Sequence, residues 1–249
     1  MEIVRRTGIQ VTGDDVREVD DAIIVEDHAR LFLNGEYLAA LVASPDRLGD
    51  LGAGFVVCEG LTDTAESVEV SGKDVYITAP VRRDIQLEMG SSGGYRVLGE
   101  PRPVSSSITV TADGIRAVTA SIESETWKKT GGVHCSVLFC DGELVTRACD
   151  VGRHNTVDKV VGYAALHGLD RSRCILGCTG RQPAGMVAKA ANAGIPIVVS
   201  RAASTDRGIL TAENAGLTLV GFSRGERFTI YTHPERVPEV LRQLEKTGR

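Results

Sequence analysis

Three observations predict an α/β fold for this chain. From Thr130 onward, short apolar runs such as RCILGC and IPIVVS alternate with helical segments, the pattern of a layer with parallel strand pairs. Two dipeptides of the hairpin type, Asn34-Gly35 and Asp141-Gly142, stand between apolar runs. Hairpin signals dominate the earlier part of the chain, which predicts a smaller β-rich lobe over 1–107 ahead of a main domain over 108–249.

The opening residues are polar and without pattern as far as DAIIVEDHARLFLNGEYLAALVAS, which reads as strand, Asn34-Gly35 turn and strand. Pro45 opens a helix through Phe55 to Cys58, with Ser44 as its N-cap and Gly60 past its end. SVEVSGKDVYITAPV alternates apolar and polar residues around Ser71-Gly72 and predicts a second hairpin. Residues 89–107 (MGSSGGYRVLGEPRPVSSS) are rich in Gly and Ser and carry Pro101 and Pro103, so they read as a mobile loop or a connector between lobes. GIRAVTASIESETWKKTGG predicts a helix ending at Gly131.

The second half is more regular. VHCSVLFC and ELVTRACD form a hairpin about Asp141-Gly142, and NTVDKVVGYAALHG is an amphipathic helix with Asn155 as N-cap and Gly168 past its end. RCILGC is a buried strand, TGRQPAG a turn and MVAKAANAG a helix. IPIVVS, ILTAENAG, LTLVGF and RFTIYTH then predict strand, helix, strand and strand.

Composition narrows the function. The chain has 249 residues, 42% of them hydrophobic, and a net charge of -5 with both signs interspersed, so no basic excess points to nucleic acid. No apolar run approaches the roughly 18 residues needed to span a bilayer, and MEIVRRTGIQVTGDD lacks the apolar core of a secretory signal. A cytoplasmic location is expected. The six cysteines then read as reduced thiols, with Cys140, Cys174 and Cys178 in apolar runs as small hydrophobes. Cys135 and Cys149 differ, because polar neighbours could stabilise a thiolate at either.

Two loops follow strands and open helices: Asp150 to Asn155 (DVGRHN) and Thr179 to Gly185 (TGRQPAG). Helix N-termini present free N–H groups and a positive dipole end, which attract phosphates. Each loop adds a glycine and an arginine, Arg153 or Arg181, suited to bidentate phosphate contact. VGFSRGERF, with Arg224 and Arg227, is a third candidate. Each loop alone could be a plain tight turn; three in one α/β domain favour a nucleotide-like ligand with several phosphates. His154 is open between ligand contact, general acid or base, and capping. His134 and Cys135 are neighbours on a strand and therefore face opposite sides.

The order hairpin, helix, strand, helix, strand is that of the cytidine deaminase fold. There the first helix would open with His-x-Glu or Cys-x-Glu and the second with Pro-Cys-x-x-Cys. This chain has GRHN and TGRQPAG instead, so no zinc and no deamination are expected.

GGVH, DVGRHNTVDKVVG, TGR before MVAKAANAGIPIVVS, and ENAGLTLVGFSRGERFTIYTHPERV together resemble the FdhD family of formate dehydrogenase accessory sulfurtransferases, as does LFLNGEYLAALVASPDRLGDLGAGFVVCEG. The resemblance covers nearly the whole chain. It implies a cytidine-deaminase-like α/β domain with a smaller lobe, commonly a homodimer. It also implies binding of the bis(molybdopterin guanine dinucleotide) cofactor of molybdenum or tungsten as cargo. Persulfide sulfur from a cysteine desulfurase would pass to that metal centre before insertion into formate dehydrogenase. The family's cofactor contact maps onto Phe222, Ser223, Arg224, Gly225, Glu226 and Arg227, and the site residues expected beside it are Gly132, His134, Arg153, His154, Asn155, Thr179, Gly180 and Arg181.

One departure matters. The family places Cys-Gly-x-Cys after a Ser-Ser pair; here the segment is Ser91-Ser92-Gly93-Gly94-Tyr95-Arg96, with Gly93 and Arg96 at the cysteine positions. Either another thiol carries the sulfur, Cys135 being the first candidate and Cys149 and Cys58 weaker ones, or the protein is a cofactor-binding chaperone without sulfur transfer. A useful thiolate would need a pKa below the usual ~8.5.

Overall fold

The computed structural model describes residues 1–82 and 100–247, and between them the backbone of two short strands. Ser91, Ser92 and Gly93, and the side chain of Arg96, lie outside the described residues.

The chain opens with a hairpin that the sequence does not announce: β1 (Ile3–Thr12) pairs antiparallel with β2 (Asp15–Ile24), turning at Gly13 with φ +60°. Its apolar residues Ile9, Val11 and Val16 are exposed, so neither face is buried and no clean alternation betrays the strands. β3 (Asp27–Leu33) and β4 (Glu36–Ala43) follow about Asn34 and Gly35, both at positive φ as the Asn-Gly signal requires. α1 (Leu48–Cys58) comes next, then β5 (Ser67–Ser71) and β6 (Asp74–Thr78). These strands form a four-stranded sheet in the order β4-β3-β6-β5. Where a loop or connector was expected, β7 (Leu87–Gly90) pairs antiparallel with β8 (Gly94–Val97).

The predicted helix before Gly131 is two helices, α2 (Ala112–Ser121) and α3 (Glu125–Thr130). Ser124 ends the continuity: its side chain accepts from the Trp127 N–H and caps α3 instead of continuing α2. β9 (His134–Cys140) and β10 (Glu143–Asp150) form the expected hairpin. α4 (Arg153–Leu166), β11 (Cys174–Cys178), α5 (Ala184–Asn192), β12 (Ile197–Ser200), α6 (Asp206–Ala215), β13 (Thr218–Arg224), β14 (Arg227–Ile230) and α7 (Pro238–Lys246) complete the chain.

The main sheet has the order β10-β9-β11-β12-β13-β14. Its three central members β11, β12 and β13 run parallel, and the remaining pairings are antiparallel. The two faces read directly from the alternation. Leu138, Leu176, Val198 and Leu219 pack with Val157, Val160, Met186 and Val187 of α4 and α5. Val137, Ile175, Ile197, Val199 and Val220 pack with Ile115, Val118 and Ile122 on the other side. A Cβ on Gly177 would lie 2.6 Å from Val118 Cγ1, so only glycine lets α2 press onto β11.

Helices α1 and α4 approach through glycines: a Cβ on Gly54 would lie 1.7 Å from the Asp158 carbonyl oxygen, and one on Gly162 would lie 1.8 Å from that of Asp50. Buried ion pairs surround this crossing. Lys189 Nζ lies 2.8 Å from Asp158 Oδ1 and 2.7 Å from Glu59 Oε1. Lys159 Nζ lies 2.7 Å from Asp150 Oδ2 and 3.1 Å from Asp46 Oδ1.

Three expectations are corrected here. Ser44 does not cap α1, whose N-cap is Arg47 in the left-handed region; the Ser44 N–H donates to Asp150 and its carbonyl accepts from Lys159. Asn155 does not cap α4, which opens at Arg153 after Gly152. Cys140 and Cys174 are not free thiols: they are directly opposed on β9 and β11, with Cα atoms 4.2 Å apart, and form a disulfide. Among the described residues, no helix is long and apolar enough to cross a membrane.

Candidate functional site

Strand direction places the site. The ends of β10, β11, β12 and β13 and the start of β9 all meet at one edge of the main sheet, where α4, α5 and α6 begin. That carboxyl edge is where open α/β sheets hold ligands, with helix N-termini directed at anionic groups.

The connecting loops are tied to one another. The Gln182 side chain donates to the Gly180 carbonyl at 2.8 Å, and Ser200 Oγ donates to the same oxygen at 2.8 Å. The Gln182 N–H donates to the Ala203 carbonyl and the Phe222 N–H to the Ala202 carbonyl, each at 3.0 Å. Three successive strand-to-helix or strand-to-strand connections therefore share one hydrogen-bonded floor.

Above that floor is a cavity of about 700 Å³, within the usual size of small-molecule sites. Gly132, Val133, His134 and Cys135 form one wall, Thr179 and Val151 the base, and Arg201, Ala202 and Arg224 the facing side. Ser124 and Trp127 line the mouth. His134 Nδ1 lies 3.1 Å from Thr179 Oγ1, which also accepts from the Cys135 N–H at 3.1 Å. Arg224 Nε donates to the Arg201 carbonyl at 3.0 Å, and Arg201 pairs with Glu123 at 2.9 Å.

A cationic group adjoins Thr179. The stem of Arg153 covers Gly180, where a Cβ would lie 3.0 Å from Arg153 Cβ. Burial, then the neighbouring Arg181, holds the Arg153 guanidinium below its usual value. Burial, then Arg153, lowers the His134 imidazole, so this ring is neutral at pH 7. His154 is pushed down to about 3 by burial, then by Lys189, Arg153 and His134, so it too is neutral. Burial is the larger cause at both rings, and the neighbouring Arg153 adds to it.

The sequence-derived site residues separate into groups. Gly132, His134, Cys135, Thr179 and Arg224 line the cavity, and Arg153, Gly180 and Arg181 adjoin it. Asn155 serves the fold: it is buried, and its amide donates to Asp150 Oδ1 and to the Val42 carbonyl, each at 2.8 Å. The C-terminal segment is a strand turn, with Arg224 opposite Arg227 and Gly225 at φ +55°. Ser223 is buried against Thr119, Oγ to Oγ 2.5 Å. Phe222 is half-buried at φ +50°. Glu226 pairs with Arg116 and, with Arg227, lines a second depression beside Phe228 and Glu239. Arg224 lines the main cavity and Arg227 the depression.

Sequence reasoning missed Arg201 and Trp127. Arg201 follows a buried strand in the same way as Thr179, a signal that was present. Trp127, the only tryptophan, is 54% exposed at the cavity mouth. A large exposed indole on the short polar helix ETWKKT was the available hint.

Cys149 was also undervalued. It is directly opposite Cys135 in the β9–β10 ladder, so both side chains point to the same face, and Cys149 packs against the cluster that holds Cys135. Cys135 is 1% exposed, and Cys149 is half-buried. The neighbouring Cys135 thiol, outweighing burial, together with Ser124 and Arg147, holds the Cys149 thiol below its ordinary value, while Cys149 and burial raise Cys135.

Residues 24–238 match the model of the FdhD/NarQ family. The chain is 34% identical to the sulfur carrier protein FdhD of Methanothermobacter thermautotrophicus, over 95% of this chain and 100% of that one. It is 36% identical to the sulfur carrier protein FdhD of Wolinella succinogenes, over 94% and 89% of the two chains. A crystal structure described as a formate dehydrogenase accessory protein, from Desulfotalea psychrophila, superposes with a TM-score of 0.84 at 26% identity, over 94% of this chain and 99% of that one. The chain belongs to the FdhD/NarQ family.

Proposed function

We propose that this protein is a sulfur carrier that serves a formate dehydrogenase, holding a molybdenum or tungsten bis(molybdopterin guanine dinucleotide) as cargo while sulfur is delivered to the metal. A cysteine desulfurase is the sulfur donor in this reading. The names of the relatives support the client and the carrier role. The observation that carries the reading is the placement of a thiol, Cys135, in the wall of an anion-suited cavity. In this reading a thiol at the site takes over the sulfur chemistry that the family resemblance assigns to the positions of Gly93 and Arg96.

The cavity residues fit the cargo's chemistry. The exposed Trp127 indole offers a stacking surface for a pterin or purine ring. Arg201 and Arg224, with Arg153 and Arg181 nearby, suit a pyrophosphate. One arm of the cargo is assigned to this cavity.

Deleting the gene from its host tests the client. Formate dehydrogenase polypeptide should accumulate without activity, and activity should return with the intact gene. Undiminished activity in the deletion strain would overturn the assignment.

A further inference from the structure

We propose that Cys149 and Cys135 form a two-thiol sulfur relay, in which Cys149 accepts sulfane sulfur from a persulfide donor and Cys135 expels it as sulfide by closing a cross-strand disulfide. The inference rests on the sulfur-carrier reading and specifies where the sulfur rides.

Three features of the geometry point to it. First, the two cysteines are opposed in an antiparallel ladder, an arrangement that brings Cα atoms within about 4.5–5.5 Å, inside the span a disulfide bridges. Cys140 and Cys174, opposed in the same way across the other edge of β9, are bonded in this structure. Second, the thiols differ in access. Cys149 is half-buried and reachable, whereas Cys135 is 1% exposed and forms part of the cavity wall. Third, the charged and polar groups about Cys149 favour its thiolate. Arg147 lies two residues earlier on the same face of β10, and Ser124, the N-cap of α3, is the nearby hydroxyl that favours the thiolate. Asp46 opposes them more weakly. Cys178 is the further titratable group acting on Cys135.

The chemistry balances. The Cys149 thiolate attacks the outer sulfur of a persulfide R–S–SH; the donor S–S bond breaks, the Cys149–S–SH bond forms, and R–S⁻ leaves. Cys135 then gives its proton to the departing sulfur and attacks the inner sulfur of Cys149–S–SH. A Cys135–Cys149 disulfide forms and hydrogen sulfide leaves, so two thiol sulfurs are oxidised while the sulfane sulfur is reduced. An external dithiol restores the pair by exchange. Sulfide thereby leaves from Cys149, next to the cavity-lining Cys135.

The test uses the full chain and glutathione persulfide as donor, with peptide mapping and a sulfide assay. Wild type should gain one sulfur atom on Cys149, then lose it as sulfide while Cys135 and Cys149 become disulfide-linked. Cys135→Ser should trap the extra sulfur on Cys149 and slow sulfide release at least about tenfold, since the resolving thiol is gone. Cys149→Ser should not load. Should either variant unfold, alkylation of wild type against pH supplies the second measurement: the half-buried Cys149 should react at lower pH than the buried Cys58, Cys135 and Cys178. Undiminished sulfide release from Cys135→Ser, or a Cys149 no more reactive than the other three, would overturn the relay. Loading on another cysteine would also overturn it but leave the carrier function standing; no loading on any cysteine would remove both.

Discussion

Replacing Lys189 with alanine is expected to lower stability by about 3–5 kcal/mol, the cost of leaving a buried charge without its partner. Lys189 serves two carboxylates, Asp158 and Glu59, and all three groups are buried. Burial pushes the Asp158 carboxyl up to about 6 against the pull of Lys189, so the site is already near the limit of what it can keep ionised. Without the ammonium, Asp158 must take up a proton or admit water, and Glu59 loses its buried partner. The deficit should therefore narrow as pH falls through the range in which Asp158 protonates, because the variant then loses less relative to wild type. Denaturant unfolding of both proteins across that range measures it. A deficit below about 1 kcal/mol, within the scatter of ordinary surface substitutions, would show that the three groups are not the buried unit described. The consequence extends to function, since Lys189 lies on α5, Glu59 at the end of α1 and Asp158 on α4, the helix that presents Arg153 to the site.

Arg224→Ala should weaken binding of guanosine diphosphate by about 1.5–3 kcal/mol, the usual worth of a charge-assisted hydrogen bond. Arg227→Ala should leave it unchanged. The two arginines are opposed in one strand turn, yet Arg224 lines the main cavity and Arg227 the separate depression with Glu226 and Arg116. Calorimetric titration of the two variants distinguishes them directly. Equal losses would mean that the ligand spans the turn; a loss confined to Arg227→Ala would move the site to the depression.

Much of the main domain was legible because its signals are local. Buried strands such as Cys174–Cys178 and Ile197–Ser200 are short continuous apolar runs, and Asn34-Gly35 and Asp141-Gly142 fix two hairpins by backbone preference alone. The β1–β2 hairpin was not legible, since a ribbon exposed on both faces needs no hydrophobic alternation. The break between α2 and α3 was hidden in Ser124, a residue that helix interiors tolerate and that here caps.

The site divides similarly. The motif DVGRHNTVDK marked the right place, but spacing could not assign its residues to separate tasks. Asp150, Asn155 and Lys159 are buried and tie β10 and α4 to the chain at Val42 and Ser44, whereas the Arg153 stem lies over Gly180. The disulfide between Cys140 and Cys174 and the pairing of Cys135 with Cys149 both depend on strand register, which links residues 34 and 14 positions apart. Such register is set by the folded sheet and not by any local pattern.

A thiol of this chain is proposed to carry sulfur although the segment that resembles the family's Cys-Gly-x-Cys reads Gly93-Gly94-Tyr95-Arg96. Intact-protein mass spectrometry after incubation with a cysteine desulfurase and L-cysteine tests it most directly. The expected result is a mass gain of one sulfur atom that a thiol reductant removes. An unchanged mass, with the desulfurase shown to be active, would contradict it and leave a protein that binds the cofactor without transferring sulfur.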